Sequence, residues 1–191
     1  YNLMPLLPGS VQKLFRTHGL KETPKAEDPL FERARWAPVL SNVTAQNAAV
    51  EEAAKHGFAI QIDNTCDDWD YRKAADYLLE RVRELRKGVS RVCLISGGEV
   101  TVKVEGTPGA GGRNQQFALY CAERIQDENL AVLSAGTDGI DGNSPAAGSV
   151  VDGTTIARAM EKGLNAEAAL TGFDAYPFFD GLGDAIMTGY T

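Results

Sequence analysis

Cysteine and histidine are scarce in this chain of 191 residues, which has three of the first and two of the second. Cys66, Cys93 and Cys121 are odd in number, widely spaced and without a C-x-x-C pair. That argues against a disulfide framework or a structural zinc site and points to a reducing compartment, the cytoplasm. Cys93 and Cys121 stand in apolar runs, where a buried, inert thiol is expected. His18 and His56 lie far in sequence from the loops described below and read as solvated. No H-x-x-x-H spacing and no Ser-His-Asp or Cys-His arrangement is suggested. Positive charge is also short. Lys and Arg total 19 against 26 Asp and Glu, a formal net charge of -7. Such a chain repels phosphates at long range, which excludes nucleic acid and anionic membrane as natural partners. Long apolar runs are absent too; Val92-Cys93-Leu94-Ile95 falls far short of the roughly 20 residues a membrane helix needs. Tyr1 to Pro5 lacks the plan of a signal peptide. Tyr1 is not an initiator, and Thr188 to Thr191 reads as the middle of a loop, so the chain is expected to be a piece of something longer.

An apolar fraction of 43% and a charged fraction of 24% are ordinary for a globular domain. Residues 1–36 read as a connector, with a short helix capped by Ser10 and closed by Gly19, then a polar, proline-containing stretch. Residues 37–191 have the texture of a packed domain from about Trp36 onward. Strands are expected over Pro38–Ser41, Phe58–Ile62, Arg91–Ser96, Val100–Val104 and Leu130–Ser134. Helices are expected from a Thr44 cap to Lys55, over Asp70–Arg86 with Tyr77, Leu78, Val82 and Leu85 facing a core, over Asn114–Ile125 and over Thr154–Lys162. Alternating strands and helices predict an α/β fold, a three-layer arrangement with a largely parallel sheet and helices on both faces. Val100–Val104 follows its predecessor too closely for a helical crossover, so some antiparallel pairing is expected there.

Open α/β sheets bind ligands beyond the carboxyl ends of their strands, and three such ends are unusual. Ser96-Gly97-Gly98-Glu99 follows an apolar strand; it reads equally as a tight turn or as a backbone approach to a ligand. Gly106 to Gln115 holds four glycines within its first seven residues, then Arg113 at a helix start. Free amides, the helix dipole and a forked cation suit a phosphate or carboxylate. Gly112-Arg113 replaces the Lys-Ser/Thr of a Walker A loop, and no G-x-G-x-x-G opens the helix. The other reading is a mobile surface loop with a solvated arginine. Ser134 to Ser144 alternates Asp138 and Asp141 with glycines and hydroxyls, which suits Mg²⁺ held with substrate phosphates, or else an Asx-turn whose carboxylates cap amides.

Together these loops resemble the C-terminal MOFRL domain of the type-2 glycerate kinases. The likeness rests on Ser96-Gly97-Gly98-Glu99, Gly111-Gly112-Arg113-Asn114-Gln115 and Ala135 to Gly142. Ala146-Ala147-Gly148, Val151 to Thr155, Phe178-Phe179 and Leu182-Gly183-Asp184 follow in the same order. The likeness runs from about Asn42 to the end and is strongest over Ile95–Thr155. It implies transfer of the γ-phosphoryl of ATP to the 2-hydroxyl of D-glycerate, with Mg²⁺, in the cleft of a two-domain protein. A Rossmann-like N-terminal domain, absent from this chain, would be the partner and supply a lysine. The family's essential arginine maps to Arg113. Gly97, Gly98, Glu99, Gly111, Gly112, Asn114 and Gln115 would bind substrate or phosphate, and Asp138 and Asp141 the metal. Two positions depart from the pattern: Tyr190 stands where a proline is usual, and Gln116 where an acidic residue is common. The alternatives are an NAD(P)H-dependent hydroxypyruvate reductase and a non-catalytic module that binds phosphorylated ligands. A homo-oligomer is compatible with all of them.

Overall fold

The computed structural model describes residues 3–17, 22–35 and 37–190. His18, Gly19 and Trp36 lie outside them. The chain divides into two compact units, Tyr1–Val39 and Leu40–Thr191. The first holds a 3₁₀ turn at Met4–Leu6, helix α1 (Gly9–Arg16) and a second 3₁₀ turn at Pro29–Phe31, none with a buried residue. Pro8, not Ser10, occupies the N-cap of α1; a proline there gives up no donor that the helix start could use.

The second unit opens with α2 (Asn42–Lys55), where Ser41 rather than Thr44 is the cap and accepts from the Thr44 amide at 3.3 Å. Pro38–Ser41 is bent chain leading into that cap, not a strand. Strands β1 (Ala59–Ile62) and β2 (Val92–Ile95) pair in parallel, Ala59 against Val92 through Ile62 against Ile95. The crossover between them is α3 (Tyr71–Arg86), capped by the Asp70 carboxylate. Helix α4 (Arg113–Arg124) then leads to β3 (Ala131–Ala135), β4 (Gly148–Asp152), α5 (Thr155–Glu161), α6 (Ala166–Thr171), α7 (Ala175–Leu182) and β5 (Ala185–Ile186). Strands β3, β4 and β5 form an antiparallel sheet in that order, separate from the parallel pair.

The fold is therefore α/β with both kinds of pairing, as the sequence predicts, but the strands make two sheets and the antiparallel one is the larger. Val100–Val104 contributes only one bridge, Thr101 to Asp70 in parallel sense. Thr101 N donates to Trp69 O and Tyr71 N to Thr101 O, so this segment is attached to the start of α3 and not to β2.

Helix α4 is the axis of the core. Every residue from Gln115 to Ala122 is buried, Leu119 and Tyr120 as fully as Phe117, Ala118, Cys121 and Ala122. A helix apolar around its whole girth must be covered all round, and α4 packs against α3, α5, α6 and α7 and against β3 and β4. Helix α3 meets it through Tyr71, Ala74, Ala75 and Leu79, its buried residues. Tyr77 and Leu78 pack at the margin of that core instead of filling it, because the two alanines let the helix axes approach. Helix α7 tolerates Pro177 in its first turn, where the N–H would have no carbonyl partner, and ends at Gly183 with φ of 80°.

Leu119→Ala should cost about 3 kcal/mol, the usual penalty for a leucine deleted from a closed core. Leu133→Ala, in β3 but 66% exposed, should cost under about 0.5 kcal/mol. Urea unfolding of the two variants checks the contrast.

Candidate functional site

The turn after β2 is built from partners supplied by the turn after β1. Asn64 Oδ1 accepts from Gly97 N at 2.8 Å and from the buried Gln46 side chain, and Asp67 Oδ1 accepts from Glu99 N at 2.8 Å. Asp68 N donates to Glu99 O at 2.8 Å. Gly98 has φ of 114°, and a Cβ on Gly97 would collide with the amides of Asn42 and Gln46. The Gly97 and Glu99 amides are thus committed inside the protein. What the turn offers outward is the Glu99 carboxylate.

The glycine-rich loop before α4 is fixed from two sides. From one, Gly109 N donates to Gly172 O, Ala110 N to Asp174 Oδ1 at 2.7 Å, and Tyr176 N to Ala110 O. From the other, Asn143 accepts from Gly111 N at 2.8 Å and donates through Nδ2 to Gly109 O and through its backbone N to Gly111 O. These bonds exclude the mobile-loop reading for Gly109–Gly112.

Asp141 joins the third loop to the same place. It is 3% exposed and sits against the N-terminus of α4. Its Oδ1 accepts from Asn114 N (3.0 Å) and Nδ2 (3.1 Å), and its Oδ2 from Gln115 N (2.8 Å) and Nε2 (3.0 Å). Ser134 Oγ donates to Asn114 Oδ1 at 2.8 Å, which fixes that amide's orientation. Gln115 also donates to Ser144 Oγ at 2.7 Å. This corrects two expectations. Asn114 and Gln115 turn their donors to Asp141 and not to a ligand. Asp141 has both oxygens filled by amides and is not disposed to hold a metal. Asp138 is exposed, with Oδ1 accepting from Ile140 N at 3.2 Å in the turn-capping manner. Among the described residues no group of three or more His, Cys, Asp or Glu could hold a metal ion. Of the two aspartates, Asp141 therefore offers Mg²⁺ no free oxygen.

Arg113, the first residue of α4, brings the first two loops together. Its Nη1 lies 2.8 Å from Glu99 Oε1, with both side chains open to solvent, 46% and 66% exposed. Exposed pairs of this kind contribute little stability; what this one fixes is direction. The guanidinium borders a groove of about 410 Å³ lined also by Gly111, Gly112, Val102, Val104 and Phe173. Phe173 has φ of 50°, one of three non-glycine residues with positive φ among those described. Holding it there costs on the order of 1–3 kcal/mol. Gly112 admits Asp141: its φ is extended, but a Cβ would overlap the carboxylate.

The cysteines and histidine lie elsewhere. Cys121 is fully buried in α4, and burial pushes its thiol far above the ordinary range; burial also raises Cys66 and Cys93. All three stay protonated and poorly nucleophilic. His56 is exposed at the end of α2, 3.1 Å from Glu52. No helix among the described residues is long and apolar enough to cross a membrane. Asn64, Asp67, Asn143 and Asp174 escaped the sequence reading. Each stands among ordinary turn residues, and its role exists only because a distant loop ends beside it.

A family model described as the MOFRL family matches residues 92–191. The glycerate 2-kinase of Pyrococcus horikoshii is 34% identical over 157 residues, covering 80% of this chain and 36% of that protein. The crystal structure of a glycerate kinase from Thermotoga maritima superposes with a TM-score of 0.71 at 33% identity, covering 78% of this chain and 37% of that one. A Pyrococcus horikoshii crystal structure gives 0.72 at 31% identity and covers 100% of this chain and 44% of the other. The chain thus spans less than half the length of these relatives.

Gly112→Ala should lower Tm by about 5–10 °C, since the new methyl must displace a buried, four-bonded carboxylate. Gly88→Ala, whose Cβ would meet nothing nearer than Leu85 O at 3.9 Å, should leave Tm unchanged. A melting curve for each variant decides it.

Proposed function

The chain belongs to the MOFRL family, and on that premise we propose that it is the C-terminal part of a cytoplasmic glycerate 2-kinase. The reaction is ATP-dependent phosphorylation of D-glycerate to 2-phosphoglycerate in a cleft completed by an N-terminal domain, with residues 1–36 as the connector. The observation that carries this reading is the setting of Arg113. A forked cation stands on a capped helix start beside a groove, and its partner is an exposed carboxylate that an anionic substrate can replace.

Phosphoryl transfer asks a protein chiefly for positioning and for stabilisation of charge on the transferred group. Arg113 supplies that charge from this half of the site. ATP supplies the phosphoryl group, and its binding falls mainly to the other domain. The Asn114 and Gln115 amides are not available to phosphate, because Asp141 already accepts from them, so anion binding falls chiefly to the guanidinium. Glu99 keeps that guanidinium extended toward the groove until substrate arrives. Gly97, Gly98, Gly111 and Gly112 act by letting the two loops approach each other and their supports.

In a protein carrying this chain with the remaining length of its relatives, Arg113→Ala should lose at least about a hundredfold in kcat/KM, near 2.7 kcal/mol. Most of the loss should fall on kcat, and Tm should hardly move, since an exposed arginine packs little. Arg113→Lys should recover part of the rate, because a point charge lacks the two-pronged grip. Steady-state glycerate phosphorylation reads this out; near-normal activity in Arg113→Ala would sink the assignment. The 191-residue chain alone should phosphorylate no glycerate. NADH oxidation with hydroxypyruvate, by either protein, would favour the reductase instead.

A further inference from the structure

We infer that Asp141 is a positioning residue, an internal carboxylate that fills the anion site at the start of α4 so that Arg113 is held for substrate, and that it ligates no metal. A carboxylate has about four lone-pair directions, and all are met here: two N–H groups on each oxygen, at 2.8–3.1 Å. A cation could enter only by turning away these donors, of which Gln115 Nε2 has a second acceptor in Ser144 Oγ. Two of those amides, from Asn114 and Gln115, are the donors that a helix start ordinarily presents to a bound phosphate. Asp141 thus satisfies those two amides and closes them to ligand phosphate with the same bonds.

Support for the aspartate comes from its own loop as well. Ser144 Oγ donates to Asp141 O at 2.8 Å while accepting from Gln115 Nε2. On the other side Gly142 lies so close to Gly111 that a Cβ there would overlap the Gly111 carbonyl. The consequence for Arg113 follows from its place before the two capped residues: the backbone position from which its side chain reaches Glu99 is set by how the first turn of α4 is tied down.

Only the kinetic arm of the test rests on the kinase reading. In the 191-residue chain, Asp141→Asn puts an NH₂ group where one oxygen accepted two donors, so two of four bonds are lost whichever way the amide turns. Tm measured in EDTA should fall by about 5–10 °C, and Mg²⁺ should leave the wild-type Tm unchanged. The Arg113 Nε–H signal of the ¹⁵N-labelled chain should shift in the variant well below its Tm, which a purely structural support would not cause. If Asp141→Asn fails to fold, Ser144→Ala provides the same comparison, with a smaller fall in Tm and a shift of the same signal. In the longer, active protein, Asp141→Asn should lower kcat about tenfold or more with the Mg²⁺ requirement unchanged. An unchanged Tm in EDTA, a wild-type Tm that rises with Mg²⁺, an unshifted Arg113 signal, or a raised Mg²⁺ requirement would each overturn the proposal. Absence of glycerate phosphorylation by the wild type would instead remove the kinase reading and leave the first two measurements to decide Asp141.

Discussion

Burying α4 from Gln115 to Ala122 creates an obligation at its N-terminus. The first amides of α4 have no carbonyl partner within the helix and little access to water, and an unpaired buried N–H costs about 1–3 kcal/mol. Asp141 meets that obligation from a loop 26 and 27 residues further on. The charge is tolerated because four donors surround it; without them a buried carboxylate would be far too costly. Once the third loop is drawn under the helix start, Asn143 is placed to hold the glycine loop, and the glycine loop to present Arg113. The site follows from the packing of the core.

The elements from α2 to α5 other than β4 are legible in the sequence, since apolar spacing, capping residues and terminal glycines mark each of them within a residue or two. Misreadings cluster where local signals conflict with distant partners. Val100–Val104 alternates like a strand but finds only Asp70 to pair with. Gly148–Asp152 carries few β-formers, and its place in the middle of the antiparallel sheet comes from β3 and β5 on either side.

The candidate site was legible as a set of loops and much less as a set of roles. Arg113 and Glu99 stand out in the sequence and meet in the structure at 2.8 Å. Asn114, Gln115 and Asp141 stand out equally, and the two amides give their donors to the carboxylate. Composition cannot separate these cases. A carboxylate among glycines and hydroxyls has the same appearance whether it faces a cation or a helix end, and only the count of donors around it tells the two apart.

The division of the strands into two sheets bears on how the molecule opens. A two-stranded sheet is marginal by itself, and β1 and β2 are at most half-buried and lean on α2 and α3. The antiparallel sheet and α4 share the core. Local opening should therefore begin on the β1–β2 side, where amide protons exchange soonest, while α4 keeps its protection up to global unfolding. Glu99 belongs to the labile side and Arg113 to the durable one. Their ion pair joins the two sides within one compact unit, so on this account the carboxylate would depart and return while the guanidinium keeps its footing.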